Sequence, residues 1–577
     1  MREIVIGLVT RALERLRGTG DLSESLNETF LQNNAGFKVE RPRERTHGDF
    51  STNAALILAR PAGMKPRDLA QHLLDAMPVE ELLGVRCEIA GPGFLNFHIA
   101  PERLRALIPE ILARGRAYGR SRRGVGERVL VEFVSANPTG PMHVGHGRGA
   151  VTGDAIARLL EAIGCTVERE YYINDAGAQI DVLGRSVLYR YQESLGRTVV
   201  PPADYYPGEY VIDIARAMHA RDGERWASIP VDIPKPPVEV IDFAIDWVMR
   251  EIRTDLESMD IHFDTWFSER TLHADGGIQR ALDHLAANDW LHEGVLEPPK
   301  GREPATEEMD GRVHLLFRAT RLGDDSDRPL LKADGSPTYF AADIAYHYDK
   351  AQRGYTRLID VWGADHGGYV KRVQAAIEAM TGKKDFLDVV LTQMVNLTQG
   401  GKQVRMSKRA GTFVTLREVL DETGSDAVRF WFLGRSSGAG VDFDLDLAKS
   451  RSNDNPVYYV QYAHARVHAV QVKLKERELE DLPGDLELLT AEEELNLIRM
   501  LGQYPEVVEG AALSHEPHRV TYYLSELAAI FHGYYNQYRI LEEDPALRGA
   551  RLSLLRATGQ VIANGLNVLG VNAPVSM

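Results

Sequence analysis

Two histidines, His143 and His146, flank a Val-Gly pair inside ANPTGPMHVGHGRGA, residues 136–150. Three positions apart, they face the same way if the stretch opens a helix. Imidazoles can donate to phosphate oxygens whose charge grows during a reaction. A helix start adds unpaired N–H groups and its positive end. Gly145 lets a flat base or a backbone approach without a Cβ in the way. The plain alternative is a pair of satisfied helix-start histidines. Far downstream, GGKQVRMSKRAGTFVTL, residues 400–416, carries Lys402, Arg405, Lys408 and Arg409 between Gly400, Gly401 and Gly411. A glycine-framed cationic loop can approach a transferring phosphoryl group as charge develops and withdraw for release. A solvated basic turn is its plain alternative.

Carboxylates form a second group. Glu132 interrupts the apolar run VLVEFV, where a charge is costly unless paired. An internal salt bridge is one way to pair it. Tyr339 and Asp343 are one helical turn apart and share a face. In WGADH, Gly363, Asp365 and His366 end a strand at the carboxyl edge of a sheet, where open α/β sheets bind ligands. Asp365 as a helix N-cap is the structural alternative.

The elements that must position these groups follow from pattern. RVLVEFVSAN is a nearly continuous apolar β-run of the doubly buried kind. HGRGAVTGDAIARLLEAIG has helical spacing, CTVEREYYIND reads as a strand and AGAQIDVLGRSVLYRYQESLG as a helix. That order is a nucleotide-binding βαβ pattern. A Pro- and Tyr-rich stretch then interrupts it, and residues 196–325 read as an insertion between two halves of one sheet. The pattern resumes with a helix near 339–353, the strand RLIDVWGAD, a helix from 367 and the strand LDVVLTQMVNL. Ahead of it, residues 1–110 mix helices with short strands, including CEIAGPGFLNFHIA after a Gly-Pro-Gly turn. From 451 to 577 long helical patterns dominate. The segments are thus 1–110, 111–195, 196–325, 326–450 and 451–577.

Composition bounds the class. The chain has 577 residues, 44% hydrophobic and 26% charged, ordinary for a globular protein of several domains. No apolar run reaches the roughly 20 residues that span a bilayer, so no membrane role is expected. The amphipathic start MREIVIGLVTRALERLRG is not a signal peptide. Cys87 and Cys165, far apart, exclude a disulfide framework and a Cys-rich zinc site, and a cytoplasmic location fits. A net charge of −16 argues against indiscriminate nucleic-acid binding but leaves room for local patches, such as the arginine-rich residues 103–128.

HVGH followed far downstream by RMSK resembles the paired signatures of class I aminoacyl-tRNA synthetases. The surrounding VEFVSANPTGPMHVGHGRGAVTGDAIARLL, YYINDAGAQI, SPTYFAADIAYHYDK, WGADHGGYVKR and NPVYYVQYAHAR are similar to arginyl-tRNA synthetases, and so is the ending FHGYYNQYRIL…GLNVLGVNAPVSM. The resemblance implies a multidomain α/β fold. A Rossmann-type parallel-sheet catalytic domain is split by an insertion, between a small α+β domain contacting the tRNA elbow and an all-α anticodon-binding domain. It implies ATP-dependent activation of arginine to arginyl-adenylate, with bound tRNA needed for that step, then transfer to tRNA(Arg). Mg²⁺ would arrive with ATP, with no structural metal, and the chain would act as a monomer. His143, His146, Lys408 and Arg405 would be catalytic, Arg405 standing where lysine is common and offering a forked geometry. Pro138, Gly145, Gly363, Asp365 and His366 would bind ATP. Glu132, Asn137, Tyr339 and Asp343 would bind arginine, and neutral amino acids would be rejected for leaving carboxylates unpaired. Asn96 (with His98 nearby), Tyr459 and Tyr462 would contact tRNA.

Rivals differ in sequence. Cysteinyl and methionyl types commonly use Cys-based zinc, isoleucyl types carry large editing insertions, and glutamyl types begin near the first signature. A small-molecule nucleotidylyltransferase needs no long helical C-terminal domain. A non-catalytic tRNA-binding paralogue should have lost His143, His146 or Lys408.

Overall fold

The computed structural model describes residues 1–19, 36–78, 84–295, 313–332, 334–404 and 414–577. The N-terminal helix α1 (Arg2–Gly18) buries the stripe Val5, Leu8, Val9, Ala12, Leu13 and Leu16 at helical spacing. With α2 (Ala54–Ala62) and α3 (Pro66–Ala76) it accompanies an antiparallel sheet of order β1-β2-β4-β3. Those strands are β1 (Val39–Glu40), β2 (Phe50–Thr52), β3 (Val85–Ala90) and β4 (Phe94–Ile99). The Gly-Pro-Gly turn joins β3 to β4, and Gly93, at φ 141°, leaves no room for a Cβ beside the Pro66 backbone. Helices α4 (Pro101–Arg105) and α5 (Leu107–Arg114) lead into the central region.

That region is a five-stranded parallel sheet of order β12-β11-β5-β6-β7. Its strands are β5 (Arg128–Phe133), β6 (Thr166–Ile173), β7 (Thr265–Ser268), β11 (Arg357–Gly363) and β12 (Leu387–Thr392). Helix α6 (Val144–Ala162) follows β5, and α7 (Ala178–Ser194) follows β6, as the spacing predicts. The segment 196–325 is more than an insertion. After α8 (Glu209–Asp222) and α9 (Val238–Ser258) it supplies the edge strand β7. Trp266 stacks on Tyr171 at 4.7 Å and Phe267 on Tyr172 at 6.1 Å, which fastens this short strand to β6. Then come α10 (Glu269–Ala274), α11 (Gly277–Ala287) and a small sheet of β8 (Leu291–Val295), β9 (Val313–Phe317) and β10 (Arg328–Pro329). Leu272, Ile278, Ala281 and Leu285 bury against Phe340, Ala341 and Ile344 of α12 (Tyr339–Gln352).

A second difference lies at LDVVLTQMVNL, expected as one strand. It breaks after β12, where Gln393 N donates to Ser437 O and Gln393 O accepts from the buried Arg148. The following strand β13 (Val395–Gln399) joins another sheet with β14 (Lys402–Gln403) and β15 (Val441–Asp444). The helix expected from 367 starts as a 3₁₀ turn, Ala364–Tyr369, and becomes α13 (Val370–Thr381). Helices α14 (Leu416–Thr423), α15 (Ser425–Phe432) and α16 (Leu445–Lys449) then lead to the C-terminal helices α17 (Pro456–Glu476), α18 (Glu492–Leu501), α19 (Tyr504–Leu513), α20 (His518–Gln537) and α21 (Pro545–Val568). The N-terminal region docks on this bundle: Arg499 binds Asp49 at 2.9 Å, and Tyr118 OH donates to Leu501 O.

Candidate active site

His143 is the N-cap of α6. Its Nδ1 accepts from the backbone N–H of Gly145 and His146, while His143 N donates to His146 Nδ1 at 3.3 Å. Both Nδ1 atoms therefore act as acceptors, which in a neutral ring puts the proton on Nε2. The rings stack at 3.7 Å. The two histidines thus complete a helix cap and remain half-buried at the positive end of α6.

The segment just after the downstream signature meets this turn. Leu416 N donates to Met142 O at 2.8 Å, and His143 pairs with Thr415 as an isolated β-bridge. Thr415 caps α14 in a reciprocal box with Glu418. A Cβ on Gly147 would lie 2.6 Å from Leu416, so glycine there permits the contact. Arg405 and Lys408 themselves lie outside the described residues.

The backbone after β5 is strained: Val134 and Ser135 have φ of 70° and 40°. Ser135 Oγ bonds Glu132 Oε1 at 2.8 Å and accepts from Tyr172 N, holding the bend. Beyond it, Asn137 is exposed between Gln179 and Asn174, at 2.9 and 3.1 Å, and Pro138 is buried. Gly363 ends β11 and caps the 3₁₀ turn, so Asp365 is no N-cap. Asp365 and His366 stand exposed on that turn.

Glu132 is 6% exposed and its Oε2 is bonded to the fully buried Lys350. The internal salt bridge is therefore real. Lys350 Nζ also reaches Asp360 at 3.0 Å, and His347 Nε2 binds Asp360 at 2.7 Å. Donor atoms of Glu132, His347 and Asp360 lie within 4.8 Å of one another, a spacing that could hold a metal ion. The Lys350 ammonium already supplies the cation there.

Asp343 has Tyr369 OH on Oδ2 at 2.5 Å and, among the described residues, no ion-pair partner. Burial pushes its carboxyl up from the usual range. Pattern reading missed its companion, Glu269. This carboxyl opens α10, is 6% exposed, and is pushed up to about 7. Burial is the main cause; a hydrogen bond from Tyr172 opposes it, and Asp343 and Asp175 add to it. Its nearest ion-pair partner among the described residues is His273 at 3.7 Å. Glu269, Tyr339, Gly177 and Thr338 line a cavity of about 560 Å³. Tyr339 is 65% exposed there. A buried and a half-buried carboxylate with few cationic neighbours, near an exposed tyrosine, suit a cation.

In the N-terminal sheet Asn96 is 3% exposed, on the face opposite Leu95 and Phe97 and level with Ser51 and Glu88, and His98 binds Glu88 at 3.0 Å. Tyr459 and Tyr462 are half-buried on α17, with His532 4.7 and 5.7 Å away. Tyr462 stacks on Tyr458, and Arg466 lies over Tyr462 and Tyr535. No helix among the described residues is long and apolar enough to cross a membrane.

The chain is similar to known proteins along its length. Residues 19–99 match the family described as Arginyl tRNA synthetase N terminal domain. Residues 107–200 match tRNA synthetases class I (R), catalytic domain, and 460–577 match DALR anticodon binding domain. A Magnetococcus marinus protein named arginine–tRNA ligase is 57% identical over 548 residues, 94% of this chain and 95% of its own. A Roseobacter denitrificans protein of the same name is 47% identical over 99% of this chain and 98% of its own. The fold is that of Thermus thermophilus arginyl-tRNA synthetase, with TM-score 0.73 at 23% identity, covering 97% of this chain and 100% of that one.

Proposed function

The chain belongs to the arginyl-tRNA synthetase family, and we propose a division of that family's reaction among the side chains of the site. It joins arginine to tRNA(Arg) with ATP. The arginine carboxylate attacks the α-phosphate and pyrophosphate leaves; a ribose hydroxyl of the terminal adenosine then attacks the carbonyl and AMP leaves. With both Nδ1 atoms engaged in the mutual cap, the imidazole Nε2–H groups at the positive end of α6 would be the phosphate donors. Mg²⁺ would come with ATP. Lys408 and Arg405 would stabilise the charge that develops at the α-phosphate. Gly145 and Pro138 leave ATP its space, and Gly363, Asp365 and His366 border the adenosine. Bound tRNA would be required for activation.

Asp343 and Glu269 would read the guanidinium, with Tyr339 against its plane and Asn137 toward the α-amino end. Glu132 would form the floor, its charge shared with Lys350. Tyr459 and Tyr462, with Arg466, would stack on unpaired anticodon-loop bases. Asn96 would belong to the elbow-facing side of the N-terminal sheet, the side it shares with Glu88 and His98.

The observation that carries this reading is that the segment following the second signature is tied to the turn of the first, through Leu416 N to Met142 O. The test is arginine-dependent ATP–pyrophosphate exchange with and without tRNA(Arg), beside Asp343→Ala. Exchange needing arginine and tRNA together, and lost in the variant, is expected. Exchange with another amino acid instead would refute the pocket, and exchange without tRNA would refute the coupling.

A further inference from the structure

The charges beneath the arginine pocket form a row that crosses the sheet. Asp360 of β11, Glu132 of β5 and Glu170 of β6 are register partners on three adjacent parallel strands. All three are buried, at 0, 6 and 0% exposure. Residues level on neighbouring strands point to one face, and that face is covered by α12. The helix answers with Tyr346, His347 and Lys350, followed by Arg353 just past its end. Tyr346 OH donates to Glu170 Oε1 at 2.6 Å, and Arg353 binds both Glu170 oxygens, at 2.5 and 2.9 Å. His347 bonds Asp343 O through Nδ1 and Asp360 through Nε2. Three carboxylates therefore face Tyr346, His347, Lys350 and Arg353 across one helix–sheet interface.

Tyr339, Asp343, His347 and Lys350 follow one another at three- and four-residue steps, so they share a side of α12. Its first half carries the pocket residues and its second half the cations. An apolar interface tolerates sliding, whereas paired buried charges fix one register; stranding one of them is costly. We propose that Lys350 is a positioning residue for amino-acid recognition: it holds α12 in register over Glu132 and Asp360 and so sets where Asp343 and Tyr339 meet the substrate. The proposal rests on the arginine pocket assigned above. Lys350 is fully buried, so it acts through these partners and not on substrate.

The test is steady-state kinetics of the full chain with tRNA(Arg), varying arginine and ATP separately, for Lys350→Met and Asp360→Asn. Asp360→Asn loosens the same anchor without stranding a buried anion. A shift of about 1 Å at a pocket can cost on the order of 100-fold. Lys350→Met should raise KM for arginine on the order of 10- to 100-fold with KM for ATP little changed, and Asp360→Asn should do so more weakly. If Lys350→Met does not fold, Asp360→Asn alone decides. An arginine KM unchanged in a folded variant, or arginine and ATP constants rising together, overturns the proposal. Failure of the arginine-pocket reading would show separately, as no arginine-dependent exchange by the unaltered chain.

Discussion

Arginine should bind less well as pH falls below about 7, and Glu269 should be the reason. Its carboxyl is pushed up to about 7 by burial, with Asp343 and Asp175 adding to the effect and the Tyr172 hydrogen bond opposing it. A guanidinium needs the carboxylate form. Binding the cation therefore lowers the carboxyl's affinity for its proton, and affinity for arginine is lost as pH falls through the free-enzyme value. Below that value each pH unit corresponds to about a factor of ten, so KM for arginine at pH 6 should be about tenfold higher than at pH 8. Asp343, shifted in the same direction, can only steepen the trend. Glu269→Gln removes the titration and one charge-assisted hydrogen bond of about 1.5–3 kcal/mol. At pH 8 that is roughly a 10- to 150-fold rise in KM for arginine. The assay is pyrophosphate exchange with saturating ATP and tRNA between pH 6 and 8.5, with KM for ATP measured in the same buffers. A flat arginine KM in the unaltered chain, or the same slope in Glu269→Gln, would refute the reasoning.

Other expectations are simpler to check. Gly153 faces the Phe133 ring so closely that a Cβ would lie 2.2 Å from it. Gly153→Ala should destabilise the catalytic region by about 1–3 kcal/mol through overpacking, read as a lower urea midpoint, with exchange rate falling as α6 shifts. Tyr462→Ala should raise KM for tRNA by about one stacked base, roughly 1–3 kcal/mol, while the KM values for arginine and ATP stay put. An unchanged tRNA KM would move the base-stacking site elsewhere.

The parts that were legible in the sequence are those with a long period or an invariant spacing. The order β5, α6, β6, α7 shows in apolar runs and helical stripes, and Tyr339 and Asp343 share a face because one turn separates them. His143 and His146 are legible as a pair, and the structure gives them the satisfied helix-start form that the sequence offered as the alternative. What failed has physical causes. β7 is only four residues long, too short for alternation to register, and its place depends on Tyr171 and Tyr172 in another strand. The break between β12 and β13 is made by a distant arginine, Arg148, on Gln393 O. Glu269 belongs to no motif; only the fold brings it near Asp343. The apolar setting of Glu132 signals that a partner must exist, but Lys350, 218 residues away, emerges only when the sheet is assembled.

The row of buried charges also has a consequence in time. β5 and β6 leave the ribosome carrying Glu132 and Glu170, yet the cations that balance them lie 218 and 183 residues further on. At synthesis rates of about 5–20 residues per second, the first half of the sheet waits on the order of 10–40 seconds for α12. During that interval two carboxylates with no cation oppose dry burial of the strand pair. The nascent half-sheet is therefore held open and hydrated until its covering helix arrives. The same charges that fix the helix in the finished enzyme also discourage the two early strands from burying against a wrong partner.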